Sequence, residues 1–143
     1  AAHCHFGLLS IFVERQLATR DPATTDARRK TAAAKLVARY TTLIAQDVRS
    51  DRSVASYAAS LGVTPTHLAR SCRKTCGRSA LSLLNDRVHF EACTLLKDTD
   101  LPVKMIAQRL GFRSPAYFTR SFQEKSGQAP RDFRRKSVGF SRP

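Results

Sequence analysis

A stretch of about fifty residues occurs twice in this chain, and each copy ends in a glycine turn followed by a short basic segment. The first copy reads VASYAASLGVTPTHLARSCRKTCG from Val54, and the second reads VKMIAQRLGFRSPAYFTRSFQEKSG from Val103. Side by side they pair Val54 with Val103, Ala58 with Ala107, Leu61 with Leu110 and Gly62 with Gly111. After one extra residue in the second turn they pair Pro65 with Pro115, Leu68 with Phe118, Arg70 with Arg120, Ser71 with Ser121 and Gly77 with Gly127. Self-similarity of this kind constrains the chain to two copies of one supersecondary unit rather than a single irregular core.

Apolar residues recur at intervals of three and four in both copies, which is the helical period. Ser53 suits the N-cap of a helix from Val54 to about Leu61, its hydroxyl accepting from a first-turn N–H, and Gly62 ends that helix. Pro65 fits the first turn of the next, where its missing N–H costs nothing; that helix runs to about Cys76 and stops at Gly77. Between the copies, Ser79 to Lys97 reads as a long helix with Leu84, Val88, Ala92, Leu95 and Leu96 on one face. The second copy repeats the pair over Val103 to Leu110 and Pro115 to Ser126, and Pro130 to about Lys136 reads as a short closing helix. Upstream, Ala27 to Val48 is amphipathic, with Leu36, Val37, Tyr40, Leu43, Ile44 and Val48 inside; Leu8, Leu9, Phe12, Val13 and Leu17 form an earlier helical stripe. No β alternation is present. The expected fold class is all-α, with two helix-turn-helix subdomains joined by a long central helix.

Charge narrows the partner. Lys and Arg number 25 against 11 Asp and Glu, a net charge of +14, and residues 53–143 hold 16 of the basic side chains and 6 of the acidic ones. Such an excess favours a polyanion. The longest apolar run, Phe6 to Val13, is far short of the roughly 20 residues a membrane helix needs, and no basic region precedes it as in a signal peptide. No membrane partner is therefore expected. A chain that opens Ala1-Ala2-His3, with Met105 as its single methionine, is expected to continue upstream.

The four cysteines do not read as a framework. Cys72 stands where the second copy has Phe122, so its expected job is to fill a small core as a hydrophobe, and Cys76 four residues later brings two sulfurs to neighbouring turns. Without a second closely spaced Cys/His pair a tetrahedral metal site is not expected, and His3-Cys4-His5 lies at the chain end. No metal or cofactor is assigned, and reduced thiols fit a cytoplasmic setting. No nucleophile–base arrangement, carboxylate pair or Gly-rich phosphate loop points to an enzyme.

A helix, a glycine turn and a second helix with an arginine-bearing face are the parts of a unit whose second helix enters the DNA major groove. At about 100° per residue, Leu68 and Cys72 face inward with Ser71 and Thr75 beside them, while Thr66, Ala69, Arg70 and Arg73 project together. In the second copy Phe118 and Phe122 face inward, and Ala116, Thr119, Arg120 and Gln123 face out. Arg70 and Arg120 share one register position, flanked by short side chains that permit close approach. An Arg fork can bond guanine O6 and N7 together, and Thr66 and Thr119 can meet a thymine methyl or a phosphate. His67, Arg73, Lys74, Arg113, Ser114 and Gln123 are assigned to the DNA backbone, Ser114 also capping its helix. Arg78 is either a phosphate contact or a bystander. Tyr117, equivalent to His67, is left either to pack on the sugar-phosphate backbone or to be partly buried against the connecting helix. The tail RDFRRKSVGFSRP is expected to be solvated.

The second half, IAQRLGFRSPAYFTRSFQEKSGQAPRDFR, carries the pattern GF, PAYF-R-F and G-P--FR. Over residues 30 to 136 the chain resembles the C-terminal DNA-binding domain of the AraC/XylS family of bacterial transcription regulators. The resemblance implies seven helices and two recognition helices in successive major grooves on one face of the duplex. It puts the base-reading positions on Thr66, Ala69 and Arg70 in the first helix and on Ala116, Thr119 and Arg120 in the second. Two departures matter: Ala69 and Ala116 stand where longer polar side chains often read bases, and Cys72 replaces a larger apolar residue, which would loosen the first core.

The resemblance also implies a domain order. Residues 1–20 are expected to be the tail of an N-terminal regulatory and dimerisation domain, 21–26 a linker, and 27–143 the DNA-binding domain, with 27–78 as first subdomain, 79–97 as linker helix and 98–136 as second subdomain. The Leu8 to Leu17 stripe belongs either to a dimer interface or against the helix from Ala27. The implied partners are double-stranded DNA, RNA polymerase and a second copy of the chain, and the implied role is that of a cytoplasmic, nucleoid-associated activator. Two alternatives remain at this level: a nonspecific basic nucleic-acid binder, and a thiol or metal sensor using Cys72, Cys76, Cys93 and the His3-Cys4-His5 cluster.

Overall fold

Capping and turn chemistry divide the chain into seven helices in the computed structural model, which describes residues 25–49 and 51–139. They are α1 (Thr25–Gln46), α2 (Val54–Ser60), α3 (Pro65–Cys76), α4 (Ala80–Asp98), α5 (Val103–Arg109), α6 (Pro115–Ser126) and α7 (Pro130–Gly139). No strand occurs among the described residues. The upstream stripe from Leu8 to Leu17 lies outside them, and α1 begins at Thr25, two residues earlier than expected.

Two compact units form. The first runs to Asp47 and resumes over Ser53–Leu84; the second takes Val48–Arg52 and continues from Asn85. In the first, Val37, Tyr40, Ile44, Tyr57, Ala58, Leu68, Leu83 and Cys72 are fully buried. Tyr40 and Tyr57 meet edge to face at 6.1 Å, and both keep their hydroxyls satisfied: Tyr40 donates to Ala80 O at 2.8 Å and Tyr57 donates to Asp47 O. These tyrosines occupy the first core, whereas the second uses phenylalanines, and Cys72 is buried with them. Burial pushes the Cys72 thiol up to about 12 and raises the Tyr40 phenol, so both groups are neutral. Cys76 Sγ donates to Cys72 O at 3.0 Å, and both cysteines are free thiols.

In the second unit Ala92, Leu95, Leu96, Ile106, Ala107, Leu110, Phe118 and Phe122 form one core. Phe112, Phe118, Phe122 and Phe133 chain through it with centroid separations of 5.1, 5.9 and 5.4 Å. Val48 packs here too. It was expected on the inner face of α1, but that helix stops at Gln46, and the chain beyond crosses to the other unit.

The expected closing helix forms as α7 and extends to Gly139, but its basic residues are not all solvated: Arg134 is half-buried, donating through Nε to Leu96 O at 3.1 Å and through Nη2 to Leu101 O at 2.6 Å. Leu96 lies in the last turn of α4, whose carbonyls have no partner within the helix. Thr99 Oγ1 donates to the neighbouring Leu95 O at 2.6 Å. A cation at a helix C-terminus also meets the negative end of its dipole. Replacing Arg134 with Met keeps the apolar stem and removes both bonds, and urea unfolding should register a loss of about 1–2 kcal/mol.

Candidate nucleic-acid interface

The turn between α2 and α3 and the turn between α5 and α6 are the same device. Gly62 and Gly111 take φ of +71° and +74°, a left-handed conformation that a Cβ disfavours. Around the first, Gly62 N–H donates to Ala59 O and Val63 N–H to Ala58 O; around the second, Gly111 N–H donates to Gln108 O and Phe112 N–H to Ala107 O. These paired bonds are a Schellman motif, which closes one helix and turns the chain toward the next.

The following helix is then capped alike in both. Thr64 Oγ1 accepts from His67 N–H and Ser114 Oγ accepts from Tyr117 N–H, each at 3.2 Å, with proline next in sequence. Thr64 was not singled out from sequence, although Thr64-Pro65 beside Ser114-Pro115 carries the signal. The extra residue of the second turn is Arg113, which is exposed.

From these starts the faces of α3 and α6 follow. Leu68, Ser71 and Cys72 are buried on α3, as are Phe118 and Phe122 on α6. Opposite them Thr66, Arg70, Arg73 and Lys74 are exposed on α3, and Ala116, Arg120 and Gln123 on α6; Ala69 and Thr119 are half-buried. Thr119 Oγ1 donates back to Pro115 O at 2.9 Å, which leaves its oxygen free to accept. No described residue forms an ion pair or hydrogen bond with the side chains of Arg70, Arg73, Arg113 or Arg120. By contrast Arg78 donates to Ser82 Oγ at 2.6 Å and serves the fold.

Tyr117 is 56% exposed, and its ring meets Phe112 of the turn at 6.0 Å. His67 is exposed. Behind α6, His89 lies against Phe122 at 4.9 Å, and burial lowers its pKa, which keeps the ring neutral beneath the arginine-bearing helix. Lys125 is held by Asp86 at 2.8 Å. Sequence reasoning also passed over Lys104 and Arg109, exposed on α5 and paired with no described residue. Their signal was present, since α2 has no charge at all.

The helix-turn-helix domain family matches residues 57–136, more than half of the chain. The arabinose operon regulatory protein of Escherichia coli is 32% identical over 85 residues, covering 59% of this chain. The chain belongs to the AraC family of DNA-binding domains. The match spans 29% of that E. coli regulator, so the AraC-family chain corresponds to less than a third of such a relative. The regulator GlxA of Rhizobium meliloti is 36% identical over 76 residues, 53% of this chain and 24% of its own length.

Among solved structures, the C-terminal domain of AraT, a response regulator from Geobacillus stearothermophilus, superposes with a TM-score of 0.66 at 32% identity, covering 71% of this chain and 84% of that one. The DNA-binding domain of AdpA, solved with a target DNA, gives 0.65 at 24% identity, covering 76% and 95%, which shows the shared fold. As an AraC-type domain the chain is a double-stranded DNA-binding domain of the kind that transcription regulators carry. No helix of the described residues is long and apolar enough to cross a membrane.

Proposed function

We propose that this domain binds DNA sequence-specifically, each unit offering one recognition helix, α3 or α6, to a major groove, so that one chain reads a two-part site. The observation that carries this is the matched pair Arg70 and Arg120: one register position on two identically capped helices, both exposed and paired with no described residue. A guanidinium left unsatisfied by its own protein is available to a guanine edge, and the fork geometry fits O6 and N7 together. Thr66, Ala69, Ala116 and Thr119 allow the helix to approach and touch the bases. His67, Arg73, Lys74, Arg113, Ser114 and Gln123 hold the sugar-phosphate backbone, Ser114 from a helix start whose N–H groups suit a phosphate. AdpA, which shares the fold, was solved with a target DNA, which agrees with DNA as the partner. Within a longer regulator the domain acts as an activator that meets RNA polymerase, with an upstream part providing the signal and the dimer contact.

Selection of bound duplexes from a random pool tests the proposal. The expected product is a two-part motif with centres about 10 base pairs apart, one helical turn. Arg120→Ala should flatten preference at one base pair of the second part by about 1–3 kcal/mol, whereas Lys74→Ala should weaken all duplexes alike. Equal affinity for selected and random duplexes at physiological salt would instead make the chain a nonspecific basic binder.

A further inference from the structure

The repeat is not symmetric in charge. At matched positions Arg73 and Lys74 of α3 correspond to Gln123 and Glu124 of α6, so two positive charges are replaced by one negative charge. The positive charge reappears elsewhere in the second unit: α2 carries none, whereas α5 and its turn expose Lys104, Arg109 and Arg113. Glu124 is exposed and forms no ion pair with any described residue, including Arg120 four residues earlier on the same face. At about 100° per residue the two lie only about 40° apart around the helix. The carboxylate therefore stands, unneutralised, beside the arginine assigned to base reading.

We infer that Glu124 determines specificity by exclusion, denying the far end of α6 the charge attraction to phosphate that Lys74 supplies on α3 and leaving only the neutral contact of Gln123 there, so that this helix engages only where its bases match. The inference rests on the proposal that α6 enters the major groove. A carboxylate is an acceptor only, and a phosphate offers it nothing but repulsion. On α3 the equivalent position, Lys74, attracts phosphate whatever the sequence. The second unit instead draws its phosphate attraction from Lys104, Arg109 and Arg113, on the helix that crosses the backbone and the turn that follows it. The charged part of the backbone grip is thus separated from base reading in the second unit, where Ser114 and Gln123 add only neutral contacts, and combined with it on one helix in the first.

The experiment compares wild type, Glu124→Gln and Glu124→Lys against a selected duplex and a random duplex across a salt series, with Arg120→Ala in parallel. Glu124→Lys should tighten random-duplex binding about tenfold, steepen the salt dependence by about one counterion, and narrow the ratio of selected to random affinity; Glu124→Gln should fall between. Tightening of both duplexes by the same factor would overturn the specificity role, and no change in either would overturn the contact itself. If Arg120→Ala leaves base preference intact, the placement of α6 in the groove fails; if that variant loses preference while the Glu124 variants match wild type, this inference alone fails. Circular dichroism melts should coincide, because Glu124 is exposed and unpaired.

Discussion

Phe118→Ala is expected to lower stability by about 3–5 kcal/mol, the usual cost of truncating a buried aromatic. Phe118 is 1% exposed and stands at the centre of the second unit's aromatic chain, 5.1 Å from Phe112 and 5.9 Å from Phe122. Its removal opens a cavity that stiff neighbouring rings do not refill. Small domains carry only about 5–15 kcal/mol in all, so a loss of this size consumes much of it. A thermal melt should shift down by about 15 °C or more. Recognition would suffer in a particular way: the packing of Phe118 seats α6 and so sets how Arg120 is presented on the opposite face, and preference for the second half of a selected duplex should fade before that for the first. A melt within a few degrees of wild type would contradict the packing described for this core.

The second large effect separates two penalties that fall on one atom. Gly62→Ala and Gly111→Ala both place a Cβ on a left-handed residue, at a cost of about 1–2 kcal/mol. Nothing lies within 4 Å of a Cβ at Gly62, whereas at Gly111 it would fall 2.5 Å from Asp51 Oδ1 and 2.8 Å from Asp51 Cγ. Arg49 grips both Asp51 oxygens at 3.0 Å, so swinging the carboxylate aside gives up an exposed ion pair worth at most about 1 kcal/mol. Gly111→Ala should therefore cost up to about 1 kcal/mol more than Gly62→Ala. In an Asp51→Gly background the two alanine variants should converge. Equal losses in the unaltered background would show that Asp51 yields without cost.

These turns were legible because a repeated glycine, a hydroxyl before proline and a helical apolar period each have a short-range cause. The bounds of α3 and α6 agree with expectation to the residue, from Pro65 to Cys76 and from Pro115 to Ser126. Their buried faces follow from the same period, Leu68 and Cys72 in one and Phe118 and Phe122 in the other. What stayed hidden depends on contacts between residues distant in sequence. Arg134 resembles any tail arginine until the carbonyls of Leu96 and Leu101 are placed beside it. Val48 continues the apolar stripe of α1 by spacing alone, and only the end of that helix at Gln46 sends it to another core. Lys104, Arg109 and Glu124 escaped for a different reason, because attention to what the two copies share passed over where they differ.

The crossing of Val48–Arg52 into the second unit bears on how such proteins can be recombined. A graft that joins the first half of one relative to the second half of another at α4 would carry Val48 and Asp51 with the wrong partner. The receiving core would then meet a foreign plug beside its own Gly111. Chimeras intended to exchange recognition helices should therefore transplant this five-residue strap together with the second half, and their success or failure would depend on a segment remote in sequence from the splice.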